Sequence, residues 1–130
     1  MSRYAFRQSL GAFFLAEAEA VRTWLPRSLT PFEMCPGHAM LAVTAFDFSE
    51  SEVGPYGELV VSVLVAPFAS RGNELPHAAS YPVLLATTTP ESRAHASEQW
   101  YLPRHERCME MNFAERGGRR SIDVLDAGER

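Results

Sequence analysis

The stretch from Val53 to Val65, VGPYGELVVSVLV, constrains the fold of this chain more than any other. Gly54, Pro55 and Gly57 alternately free and restrict the backbone, which suits a tight turn of one particular shape. The apolar run from Leu59 to Val65 then reads as a strand covered on both faces, and a strand of that kind needs a sheet around it. Glu58 stands where turn and strand meet. A carboxylate at the mouth of a buried strand is costly unless it is paired, hydrated or used, so Glu58 is the first candidate functional residue. The plainer alternative is an exposed glutamate at a strand end.

With 130 residues, 46% of them hydrophobic and 22% charged, the chain has enough material for one core and too little for two, so it reads as a single domain over residues 1–130. A formal net charge of -4, with only Arg119 and Arg120 adjacent, speaks against a nucleic-acid surface and leaves a small molecule or a protein as the expected partner. The longest apolar run, Leu59 to Phe68, is broken by Ser62 and Pro67 and is too short to cross a bilayer. Cys35 and Cys108 have no zinc-ligand spacing, and no signal-peptide pattern accompanies them. They read as reduced, buried thiols of a cytoplasmic protein, with no metal or other cofactor expected.

One absence removes a class of chemistry. All twelve basic residues are arginine, so the chain has no lysine. Schiff-base catalysis needs a primary amine that can lose its proton, and a guanidinium with a pKa above about 12 cannot serve. The α-amino group of Met1 is the only amine left.

Along the chain, Tyr4 to Ala16 reads as an extended segment entering the core, with Arg7 just ahead of LGAFFLA. Glu17 to Leu25 consists largely of helix formers and stops at Pro26, which predicts a short helix turning Ala20, Val21, Trp24 and Leu25 inward. Arg27 to Gly37 is a connecting loop, and His38 to Phe48 is a second buried strand. SESEVGP links it to the central strand, with Glu50 and Glu52 as solvated charges. The Pro, Gly and Asn content of residues 66–80 marks an irregular loop carrying His77 at its surface. Tyr81 to Ala86 is a third strand. Thr88 or Thr89 caps a helix that starts at Pro90, with Glu91 at capping-box spacing from Thr88, runs to about Trp100 and ends by Pro103. Met109, Met111 and Phe113 alternate with polar residues as in a half-buried strand. ERGG makes the turn, and SIDVL returns with Ile122 and Val124 on one face, close to a sheet edge. The fold class is α+β, a mostly antiparallel curved sheet or partial β-barrel with two short helices.

In their order and spacing, FRQSLGAFFLAEAEAVRTWLP, TAFDFSESEVGPYGELVVSVLV and SEQWYLPR resemble the acetoacetate decarboxylase family, VGPYGEL being the most distinctive stretch. The resemblance implies a closed β-barrel with flanking helices, a ligand pocket inside, and decarboxylation of β-keto acids through a lysine imine. Glu58 matches the acidic residue after the family's turn, and Arg7 matches an arginine that lies close to the site. The imine-forming lysine falls on Arg104, and its cationic neighbour falls on His105. A second family glutamate falls on apolar residues near Ala42 and Val43. Family members also continue well beyond these segments, so the expectation is an incomplete barrel: either a shortened version that closes its sheet differently, as across a homo-oligomer, or a piece of something larger.

Two kinds of function follow. In the first, Arg7 and Arg104 bind a carboxylate or a developing enolate while Glu58 and His105 move protons. Such a site acts on a β-keto acid or related β-dicarbonyl compound in an aldol, cyclisation, dehydration or enolisation step. In the second, the chain is a non-catalytic small-molecule-binding or protein-interaction module. The plainest alternative pairs Arg104 with Glu58 or Glu98 and leaves His105 solvated.

Overall fold

A computed structural model describes residues 3–66, 79–100 and 107–126, without the side chains of residues 99 and 100. Strand β1 (Ala5–Glu17) leads directly into helix α1 (Ala18–Arg22). Two short strands, β2 (Thr30–Pro31) and β3 (Glu33–Cys35), precede the long strands β4 (His38–Glu50), β5 (Tyr56–Ala66) and β6 (Ala79–Thr87). Helix α2 (Pro90–Trp100) and a hairpin of β7 (Met109–Arg116) and β8 (Arg119–Asp126) complete the described chain. Strands β1, β4, β5 and β6 lie side by side in that order, every pair antiparallel. The fold is therefore α+β and mostly antiparallel. Among the described residues β1 and β6 form two open edges, so the sheet does not close into the barrel that the resemblance implies.

β5 is the centre of the sheet, flanked by β4 and β6, as its run of β-branched residues requires. Burial deepens along it: Ser62, Val63 and Val65 are buried, whereas Glu58 to Val61 are half-buried. Val63 and Val65 pack with Ala39 of β4 and with Ala18 and Val21 of α1 to form the core. Each buried valine contributes about 1.5–3 kcal/mol by leaving water.

Helix α1 is shorter than the predicted Glu17–Leu25, and its buried face is different. Ala18 and Val21 are buried and Leu25 is half-buried, a spacing of three and four that defines one helical face. Ala20 and Trp24 fall on the other side, and Trp24 is 52% exposed. After Arg22 the chain tightens, with Thr23, Trp24 and Leu25 each donating to a carbonyl three residues back. The predicted loop at Arg27–Gly37 contains β2 and β3, which pair with the end of β5 and the start of β4. Cys35 and Cys108 are both free thiols, but Cys35 is exposed and Cys108 half-buried, so neither is the core residue expected.

The turn before β5 is built by Ser51 and Gly54. Ser51 Oγ donates to the Gly54 carbonyl at 2.6 Å and accepts from the Val53 amide at 3.1 Å, while Gly54 takes a φ of 84°. Gly57 is part of β5 and not of this turn. A Cβ there would stand 2.9 Å from Met111 Sδ and 2.9 Å from Thr88 Cγ2, so the missing side chain is what lets β7 rest on the sheet. At the hairpin tip Gly117 and Gly118 both have positive φ, 58° and 73°, as a two-residue turn of the I′ kind demands. Met109, Met111, Phe113, Ile122 and Val124 are half-buried as predicted, and Glu110 and Asn112 are exposed.

Helix α2 begins at Pro90 as expected, but Thr89 caps it by accepting the Ser92 amide at 3.2 Å. Thr88 is engaged elsewhere, its Oγ accepting the Gly57 amide at 2.8 Å. Pro103, expected to end the helix, lies outside the described residues, as does His77. No helix among the described residues is long and apolar enough to cross a membrane.

Candidate functional site

Alternation along β5 puts Tyr56 and Glu58 on one face and Gly57 on the other. Register with β4 sets Phe46 opposite Glu58 and Phe48 opposite Tyr56, and register with β6 sets Thr87 opposite Glu58. The result is an aromatic wall. Phe48 packs against Tyr56 with ring centroids 5.0 Å apart, stacks on Phe46 at 5.4 Å, and meets Tyr4 edge-on at 5.9 Å. Across from this wall α2 presents Ser92, His95 and Ala96, which share one helical face. Between them lies a cavity of about 210 Å³ that Glu58 lines.

Two polar systems meet in the cavity. Tyr56 donates its hydroxyl proton to Glu58 Oε2 at 3.2 Å. Burial pushes the Glu58 carboxyl above its ordinary value of 4.5, and the tyrosine bond offsets this in part. The Tyr56 phenol is pushed up in turn, first by burial and then by the neighbouring Glu58 charge and their shared hydrogen bond, so it remains a donor. The second system joins distant segments: the Tyr4 hydroxyl and His95 Nε2 share a hydrogen bond of 3.1 Å whose direction follows the histidine tautomer. His95 Nε2 also lies 3.5 Å from Glu52 Oε2, so Glu52 is not the purely solvated charge expected. The Tyr4 phenol is raised by burial and by the charges of Glu52 and Glu58.

Arg7 lies on the opposite face. The β1–β4 register shifts between Phe6 and Gln8, and the extra residue sets Arg7 and Gln8 together beside Asp47. Arg7 Nη1 is 3.9 Å from Asp47 Oδ2, and Gln8 Nε2 donates to the same oxygen at 3.4 Å. Both side chains line a cleft of about 600 Å³ roofed by Met109 to Phe113 of β7. Arg7 and Glu58 therefore do not share the common cavity implied by the resemblance, because one residue of strand offset carries a side chain to the other side of a sheet. Arg104 and His105 lie outside the described residues. No cluster of three or more potential metal ligands occurs among the described residues.

Reading the sequence passed over Tyr4, Tyr56 and His95. Tyr56 was accessible, since it stands two residues before Glu58 on a strand and must share its face. Tyr4 and His95 are 91 residues apart, and only the sheet and α2 bring them together.

An open antiparallel sheet with a helix over one face and an acid-bearing aromatic cavity between them defines the class of this protein. Its fold is acetoacetate decarboxylase-like. The structure reported under structural studies of acetoacetate decarboxylase matches with a TM-score of 0.62 and 16% identity, covering 97% of this chain and 47% of that one. The enduracididine biosynthesis enzyme MppR, complexed with the condensation product of pyruvate and imidazole 4-carboxaldehyde, matches with a TM-score of 0.53 and 15% identity over 94% of this chain and 44% of that one. This chain thus spans less than half the length of either protein. No protein-family model and no curated protein matches the sequence.

Proposed function

We propose that the chain binds a small β-dicarbonyl compound, β-keto acids included, in the cavity between β5 and α2, and moves a proton on it without forming an imine. The observation that carries this reading is the Glu58–Tyr56 pair: a carboxyl raised by burial, hydrogen-bonded to a phenol and set in an aromatic cavity. A carboxylate with a raised pKa is a better base at neutral pH than one in water. Glu58 takes the proton from the carbon between the two carbonyls, the C–H electrons pass to a carbonyl oxygen, and a tyrosine hydroxyl donates to the enolate that forms. Return of the proton to carbon or oxygen completes enolisation, the step that aldol, dehydration and cyclisation reactions share. The fold likeness to an enzyme captured with a condensation product of pyruvate supports the carbonyl-ligand class.

Arg104 and His105 follow α2, whose inner face lines the cavity, and are proposed as the carboxylate-binding group and a second proton carrier. Arg7 serves only a ligand that occupies the other cleft. The absence of lysine favours a second reading, a binding module without turnover.

Titration with acetoacetate, paired with deuterium uptake at its α-carbon followed by NMR, separates the two. The expected outcome is saturable binding with exchange faster than buffer, and a loss of about 10²-fold or more in exchange for Glu58→Gln with binding retained. Saturable binding without exchange selects the module. Exchange in Glu58→Gln as fast as in the unmodified chain removes Glu58 from the mechanism.

A further inference from the structure

Three described hydroxyl groups line the cavity that holds Glu58, and their protons are committed differently. Tyr56 gives its proton to Glu58 Oε2 at 3.2 Å, and Ser92 gives its proton to the Thr89 carbonyl at 2.9 Å. Tyr4, which packs edge-on against the same Phe48 ring as Tyr56, has its hydroxyl 3.1 Å from His95 Nε2. Which of these two donates decides what Tyr4 can offer a ligand. A phenol has a single proton, and a ring nitrogen either carries hydrogen or accepts it. If Tyr4 donates to His95, it has nothing left for the cavity. If Nε2 carries the hydrogen, Tyr4 accepts it and keeps its own proton to turn inward.

Glu52 makes the choice. Its Oε2 stands 3.5 Å from the same Nε2. An ionised carboxylate presents only lone pairs and negative charge, so it disfavours a bare lone pair on the facing nitrogen and favours hydrogen there. The neutral Nε2–H ring and the imidazolium both meet that demand. The Glu52 side chain is 43% exposed, so water sustains its charge, whereas that of His95 is 16% exposed and lines the cavity. Burial, then the charges of Glu52 and Glu58, push the Tyr4 phenol up, so Tyr4 keeps its proton within electrostatic reach of the proposed base. We infer that Tyr4 is the group that donates to the enolate oxygen, and that His95 and Glu52 are positioning residues that aim its proton into the cavity. This assignment deepens the enolisation reading and rests on it. The ligand's C–H proton goes to Glu58, the electron pair goes to the carbonyl oxygen, and the Tyr4 O–H bonds that oxyanion without leaving the phenol.

Deuterium exchange into acetoacetate tests the roles in the full chain. Tyr4→Phe is expected to lose about 10²-fold in exchange with binding retained, as removal of one oxyanion donor does. His95→Leu is expected to lose about tenfold or more through a misaimed hydroxyl. His95→Gln, whose amide can donate from nearly the same place, is expected to restore most of that loss, which a packing role would not explain. The tautomer is read without ligand, from long-range NMR couplings between ring protons and ring nitrogens, the His95 signals being those missing in His95→Gln. The neutral ring is expected to carry its hydrogen on Nε2, and Glu52→Gln to give a mixture of tautomers. Circular dichroism checks that the variants fold; if one does not, the tautomer of the unmodified chain decides. Hydrogen on Nδ1 of the neutral ring overturns the inference at any activity. So does a folded Tyr4→Phe that exchanges as fast as the unmodified chain, or a folded His95→Gln as slow as His95→Leu. Failure of the underlying reading looks different: the unmodified chain then exchanges no faster than buffer, or Glu58→Gln exchanges as fast as it does, and the inference falls with the reading.

Discussion

Glu58 loses hydration in a cavity walled by aromatic rings, and the Tyr56 hydroxyl returns only part of it. Its folded-state pKa lies above the ordinary 4.5, so the folded chain holds this proton more tightly than the unfolded chain does. The resulting stabilisation is fully present below pH 4.5 and is lost as pH rises through the raised value. Glu58→Gln has no such titration. Denaturant unfolding at a series of pH values is therefore expected to show the glutamine variant gaining on the unmodified chain as pH rises from below 4.5 towards neutral; a difference that stays flat counts against burial of this carboxyl. Tyr56→Phe removes the bond that lowers the Glu58 pKa, so it is expected to move that window to still higher pH. Glu58 was legible in the sequence because a charge stood at the start of an apolar run. His95 was not, because a lone histidine in a helix carries no sign of what the fold sets beside it.

Gly57 shows how one position joins two elements. It sits in the central strand, and its missing side chain admits both Met111 of β7 and Thr88 ahead of α2. Gly57→Ala is expected to destabilise the chain by about 1–3 kcal/mol through overpacking, measured by denaturant unfolding. Met111→Ala in the same chain is expected to recover part of that cost, a non-additivity that a double-mutant cycle reads directly. Strictly additive effects would mean that β7 does not rest on Gly57. The long strands, α2 and the hairpin were legible because periodicity, proline and glycine mark them locally. β2 and β3 carry no pattern of their own in two and three residues, and it is the edges of β4 and β5 that hold them.

For the molecule as a whole, the absence of lysine sets a chemical limit that no folding can lift. Incubation with acetoacetate and borohydride is expected to leave the protein mass unchanged, apart from slow labelling of Met1. A stable adduct elsewhere would show a second amine-like nucleophile in the chain. Arg104→Lys alone is expected to confer little decarboxylation, because a lysine without a neighbouring cation stays protonated, whereas Arg104→Lys with His105→Lys supplies a neighbouring cation of the kind that lowers a lysine pKa. Decarboxylation by the unmodified chain at about one per second or more, a rate typical of enzymes, would refute the proposed chemistry.

By itself the sequence determined the elements and the excluded chemistry: strands where apolar residues run or alternate, α2 between its threonines and Trp100, a hairpin at Gly117–Gly118, and no imine from any side chain. These are local properties of propensity, punctuation and residue type. Only the tertiary structure decided that Arg7 and Glu58 occupy opposite faces, that Tyr4 meets His95, that Gly57 receives Met111, and that β1 is left as an edge. Each of these depends on strand register or on which element packs over which face. Register is a relation between distant segments, and a shift of one residue reverses it.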